Sequence, residues 1–274
     1  DMMDYMVPSL LTEHLYHADG QILDEVYVYG SFVQSKMYQR GVKCSDCHDV
    51  HSLALKNSGN ALCTGCHRPD TYDTVNHHFH KKIFKGKESK GDDCIECHMP
   101  QTPYMGIDDR ADHSIRIPRP DLTVELNMPS SCNTAVCHSD KSPRWSAEHT
   151  RKWYGIKKRP HFAATLMAAR NGDKGAQADL ITLASDQLSP AIVRATALSL
   201  LRSYPHQDSF QALETALMDS DALIRQTAIY TINLLQFDKD ARLIFPLLYD
   251  PVKAVRIQAA LSVAGIPNLA LNPT

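Results

Sequence analysis

The chain has 274 residues, 43% of them hydrophobic, with mean hydropathy −0.32 and a formal net charge of −2. That length allows two domains, and 29 Lys and Arg against 31 Asp and Glu argue against a general nucleic-acid binder. No apolar run approaches the roughly 18 residues of a membrane helix, so no membrane span is expected.

The opening DMMDYMVPSLL shows no basic region ahead of an apolar one and does not begin with Met, so it reads as the start of a mature product or of an excised portion. Residues 1–155 carry 17 basic and 21 acidic side chains, 12 of the 14 histidines and all eight cysteines. Residues 156–274 carry 12 basic and 10 acidic side chains. The chemistry is expected in the first part.

The cysteines come as four pairs: Cys44 and Cys47, Cys63 and Cys66, Cys94 and Cys97, and Cys132 and Cys137. The first three read C-x-x-C, while the fourth, CNTAVCH, has four residues between its thiols. A histidine follows every pair: His48, His67, His98 and His138. The first four cysteines also match a zinc-ribbon spacing, C-x₂-C-x₁₅-C-x₂-C. Neither zinc nor a disulfide framework has a use for the four histidines, and a thioredoxin-like dithiol would be one motif rather than four. C-x-x-C-H is the attachment signature of haem c, with two thioethers to the porphyrin and the histidine as proximal iron ligand. Four haems c are therefore expected, the fourth with a bulged loop between its cysteines.

Six-coordinate iron needs a second donor. His51, three residues past His48, points away from its own haem and can reach a neighbouring one. His80 in NHHFH and His113 in RADHSIRIP are local imidazoles, and His17 in LYHADG is a further donor. His77 is a distal candidate too, or it donates to a propionate, since His77 and His80 would share a helical face. Met37 reads as packing rather than as a thioether ligand. His14, His149, His161 and His206 read as ordinary surface or hydrogen-bonding residues. The run KKIFKGKESK, residues 81–90, is a solvated face, a screen for propionates or a greeting surface for an acidic redox partner.

The stretches around YVYGSF, KMY, GVKCSDCHDVHS, NALCTGCH, NHHFH, CIECHMP, DHSIRIPRPDL and the last CH resemble, over roughly residues 9–155, multihaem cytochromes c that carry helical repeats at their C-termini. The order CIECHMP, DH, CH is similar to the final haem pair of the pentahaem nitrite reductases and, more loosely, to cytochrome c554. The resemblance implies extracytoplasmic (periplasmic) haem attachment, electron transfer to redox partner proteins, and further haem modules upstream in the same polypeptide. It supports the four proximal histidines, and His51, His80 and His113 as distal ligands. His17 matches the pattern and His14 does not. The stretched fourth motif departs from it, and no C-x-x-C-K motif appears, so a lysine-ligated catalytic haem is not encoded here. An electron carrier is expected rather than a self-contained enzyme; a share in a multihaem reductase of a nitrogen or sulfur oxyanion is the alternative.

Beyond RWSAEHTRKWYG the cysteines stop and a repeat begins. Arg194, Arg225 and Arg256 lie 31 residues apart, and Ala197, Ala228 and Ala259 keep the same interval. Each pair sits in a segment of helical periodicity preceded by a shorter helix, DLITLAS, FQALETALM or ARLIFPLL, with RPHFAATLMAAR as a degenerate first helix. Each repeated Arg is expected to pair with a neighbouring Asp, and AGIPNLALNPT reads as an uncapped end. The expected fold is thus all-α: a loop-rich tetrahaem module over residues 1–155, then HEAT-like repeats over 156–274 forming an α-solenoid used for docking.

Overall fold

The computed structural model describes residues 2–156, 160–234 and 241–264. About half of the chain is helical, and the sheet among the described residues consists of two two-stranded hairpins. The chain divides into two compact units, one of His14–Ala164, the other of Asp1–Glu13 with Thr165–Thr274.

In the His14–Ala164 unit most helices are single turns: α1 (Val28–Phe32), α2 (Lys36–Gln39), α3 (Cys44–Cys47), α4 (Asn60–Thr64), α5 (Pro69–Tyr72), α6 (Val75–His78), α7 (Cys94–His98) and α8 (Pro120–Leu126). Only α9 (Pro143–Tyr154) reaches three turns; Ser142 caps it by accepting from the Trp145 amide, and Pro143 occupies its first turn. Strands β1 (Ile83–Phe84) and β2 (Lys87–Glu88) form one hairpin, and β3 (Gln101–Tyr104) and β4 (Asp108–Ala111) the other. Helices this short do not hold in water by themselves. A buried ion cluster ties them: Arg116 donates to Asp112 at 2.8 Å and lies 3.4 Å from Asp19, and Gln21 bonds both Asp19 at 2.7 Å and the Pro129 carbonyl at 2.9 Å. Both carboxylates are about 5% exposed or less.

The other unit is built of longer helices: α10 (Phe162–Arg170, which begins before the division), α11 (Ala176–Ser185), α12 (Ala191–Leu200), α13 (Gln207–Ala216), α14 (Ala222–Leu234) and α15 (Lys253–Val263). Helix α11 packs on α12 and α13 on α14, while α12, α14 and α15 stack in succession. Ala197, Ala228 and Ala259 are fully buried in that stack, where only a small side chain lets helices approach. The repeated arginines do bind aspartates: Arg194 reaches Asp219 at 2.5 Å, and Arg225 holds Asp250 through two bonds of 2.7 and 2.9 Å. Both pairs span 25 residues. Arg256 instead donates to the carbonyls of Asp250 and Pro251. The segment ARLIFPLL differs from expectation: it forms two 3₁₀ turns, Ala241–Leu243 and Phe245–Tyr249, because Pro246 has no N–H to continue an α-helix.

Residues before His14 belong with these helices. Leu11 is fully buried, its amide bonds Thr196 at 3.0 Å, and its carbonyl accepts from Arg170 at 2.7 Å. Asp4 caps α15 by accepting from the Lys253 amide. An apolar anchor with both backbone groups paired explains why this stretch leaves the cysteine-bearing part. The tail of AGIPNLALNPT from residue 265 lies outside the described residues.

Candidate haem-binding site

Two of the C-x-x-C motifs lie wholly on one helical turn, Cys44 with Cys47 on α3 and Cys94 with Cys97 on α7, which puts each pair of thiols on one side. The other two pairs differ. Cys63 lies on α4, but that helix ends at Thr64, and Cys66 falls in the turn beyond it, its amide donating to the Cys63 carbonyl at 3.1 Å. Cys132 and Cys137 lie on no helix; the Cys137 amide donates to the Thr134 carbonyl at 3.1 Å, one turn inside the loop that separates the two thiols. In three of the motifs the histidine amide closes the segment on the first cysteine's carbonyl: His48 to Cys44 and His67 to Cys63, each at 2.9 Å, and His138 to Cys132 at 3.1 Å. The two extra residues of the fourth motif therefore bulge between joined ends.

None of the eight cysteines is in a disulfide: Cys44 and Cys66 are exposed, and Cys47, Cys63, Cys94, Cys97, Cys132 and Cys137 are half-buried. The expected thioethers of Cys66 and Cys137 thus start from two different settings, an open turn and a partly covered loop. Burial pushes the Cys47, Cys97 and Cys132 thiols up, Cys97 to about 12. Cys63 goes the other way, to about 7, through a hydrogen bond with the Cys94 thiol.

Three of the four motif histidines face a second imidazole. His48 and His113 have ring centroids 6.3 Å apart, His98 and His77 6.1 Å, and His138 and His80 5.9 Å. A metal–imidazole bond is about 2 Å, so two imidazoles sharing one iron hold their centroids about 6 Å apart. Several of these rings are also fixed in one tautomer. Nδ1 of His48 meets the Leu53 carbonyl at 2.8 Å, Nδ1 of His98 the Arg116 carbonyl at 2.7 Å, and Nδ1 of His113 the Ala111 carbonyl at 2.9 Å. His80 makes the same bond to the His78 carbonyl. A carbonyl only accepts, so Nδ1 carries the proton and Nε2 keeps its lone pair, as a metal ligand requires. Burial, then neighbouring histidines, lower His77 and His138, which favours the neutral ring. The donor set therefore fits haem c.

His77 and His80 do not share a helical face. Helix α6 ends at His78, and Phe79 takes the left-handed conformation at φ 58°, turning the chain so that the two histidines serve different partners. The ring packed on His67 is the Tyr72 phenol, edge-on at 5.7 Å. His51 is exposed with its amide bonded to Asp49 and makes no ring contact with a motif histidine among the described residues, while His17 sits in the Tyr16–Ile22 bridge region with its amide on the Gln21 carbonyl.

Sequence reasoning missed two supports. One is the Asp19–Arg116–Asp112 cluster, which fixes the segment holding both His113 and the carbonyl that orients His98. The other is an aromatic face on α9: Trp145 lies 4.8 Å from His138 and 4.0 Å from His149, and Trp153 stacks on Phe79 at 4.8 Å and 4° and reaches His80 at 5.9 Å. The i, i+4, i+8 spacing of Trp145, His149 and Trp153 was a readable signal for that face.

Among the described residues no helix is long and apolar enough to cross a membrane. Residues 37–71 match the family of the doubled CXXCH motif. No curated protein and no solved structure matches the chain. The doubled motif marks a c-type, multihaem cytochrome-like module, with covalently bound haem c and electron transfer as its chemistry.

Proposed function

We propose that the chain carries four haems c and passes electrons among them. The first is attached through Cys44 and Cys47, the second through Cys63 and Cys66, the third through Cys94 and Cys97, and the fourth through Cys132 and Cys137. His48, His67, His98 and His138 are the proximal ligands, with His113, His77 and His80 opposite the first, third and fourth of the four. The observation that carries the reading is the set of three imidazole pairs at 5.9–6.3 Å. Haem, when bound, supplies a one-electron iron couple; the chain's residues position the ligand histidines and orient four of them through Nδ1. Haem c attachment of this kind places the protein outside the cytoplasm. The helices of the second unit form HEAT-like repeats of 31 residues, a solenoid that docks other proteins.

A reductase is the second reading, and one observation favours it. His67 is exposed and packed edge-on by the Tyr72 phenol, where the other three motif histidines each face an imidazole, so a haem attached through Cys63 and Cys66 would be accessible to a small ligand such as a nitrogen or sulfur oxyanion. Carbon monoxide added to the reduced holoprotein tests both readings. Pure electron transfer through four six-coordinate haems gives no spectral change. Binding to one haem in four supports the reductase reading, and binding to most of them contradicts the histidine pairs.

A further inference from the structure

We infer that the lysine hairpin β1–β2 is the docking surface for an acidic protein that exchanges electrons with the haem held by His138 and His80. The inference rests on the haem reading above. Residues 81–90 carry five lysines, Lys81, Lys82, Lys85, Lys87 and Lys90, against one glutamate, and all five are exposed. Their surroundings are of the opposite sign, since residues 1–155 as a whole carry four more acidic than basic side chains. Among the described residues only Lys90 of the five has a carboxylate partner, Asp93 at 3.4 Å, itself weak at such exposure. A local concentration of unneutralised charge steers a partner of opposite sign.

The hairpin also displays apolar surface. Ile83 and Phe84 are 54% and 60% exposed, and the Lys85 ammonium lies over the Phe84 ring at 5.3 Å. The two-residue loop Lys85–Gly86, with φ 49° and 76°, fits the primed turns that hold a tight hairpin and present its tip. An apolar spot ringed by ammonium groups suits a transient contact, with charge for approach and a small dry centre for docking.

The geometry joins this surface to the iron ligand. His80 leads into the hairpin three residues before Ile83, and Gly91 leaves it. At Gly91 an added Cβ would lie 2.5 Å from the His80 ring, so the two legs close on that imidazole. A partner seated on the hairpin therefore lies a few residues from the ring that faces His138. In the exchange one electron leaves the reduced partner and converts one ferric iron to ferrous.

The test uses the holoprotein and two one-electron donors in stopped flow: a reduced acidic flavodoxin and cationic hexaammineruthenium(II). The variant is Lys82→Glu, Lys85→Glu and Lys87→Glu together. The inference expects the flavodoxin rate constant at low salt to fall by about tenfold or more and to lose its salt dependence. It expects no fall with the ruthenium donor and unchanged haem potentials. An unchanged flavodoxin rate overturns it. So does a fall with both donors accompanied by shifted potentials, which makes the lysines a screen for haem propionates. So does a variant that alters only adsorption to anionic vesicles. A protein without covalent haem fails the function proposed above, and that failure is visible before any donor is added.

Discussion

At the residue scale, the four histidines that follow the cysteine pairs were legible because the motif places them next to the thiols. His80 and His113 stood out as candidate donors, but which motif histidine each one faces was not legible, because those contacts are distant in sequence: His48 with His113, His138 with His80. His51, a candidate from its place beside the first motif, is exposed, with its amide held by Asp49. On the proposed ligation, His113→Ala converts one haem to a high-spin, carbon monoxide-binding form, readable in the Soret band, and a fully low-spin variant refutes the pair. Arg116 offers a stability test. Replacing it by Ala strands two buried carboxylates, at a cost of roughly 3–5 kcal/mol, measured as a lowered urea midpoint. His161 gives a pH test. Burial, with Arg119 and Arg116 nearby and Asp19 opposing, lowers it to about 4 from an unfolded value of 6.5. The unfolded chain therefore binds the extra proton first. Stability is intact above pH 6.5 and falls as pH drops toward 4, on the order of 2 kcal/mol by pH 5. Urea melts at pH 7 and pH 5 should show the loss, and His161→Gln should flatten it.

At the element scale, the repeat helices were legible from their 31-residue interval, since helical periodicity and a small buried residue act locally. ARLIFPLL was misread because its apolar spacing is helical while Pro246 forbids the hydrogen bond that would continue the helix. The arginine ladder sharpens what the interval alone suggests. Arg225 and Asp250 are both nearly buried, so Arg225→Ala should cost roughly 3–5 kcal/mol, well above an exposed pair. Ala228, fully buried in α14, tests the packing register: Ala228→Phe should overpack the stack and cost roughly 1–3 kcal/mol in a melt followed by far-UV ellipticity. An unchanged midpoint would place that residue on a surface. In the cysteine-bearing unit the elements are mostly single turns, so sequence periodicity had little to report there. The identical C-x-x-C spacing did not disclose that Cys66 falls past the end of its helix while Cys47 and Cys97 stay within theirs.

At the scale of the whole molecule, composition separates a cysteine- and histidine-rich part from the remainder, and the contacts divide the chain at other bounds. His14–Ala164 and the remainder form the two units, the first thirteen residues joining the second because Leu11 is seated there. No local pattern marks such an anchor, since its partners Thr196 and Arg170 lie more than 150 residues away. The four cysteine–histidine motifs all fall in the unit of short helices, whose few large buried side chains are joined by a buried ion cluster. The central claim is covalent haem at each of them. The most direct measurement is the intact mass of denatured protein, matured where the haem-attachment machinery is present. The account predicts four haem masses above that of the polypeptide. Fewer than four, or a polypeptide of unmodified mass that binds zinc through its cysteines, would contradict it.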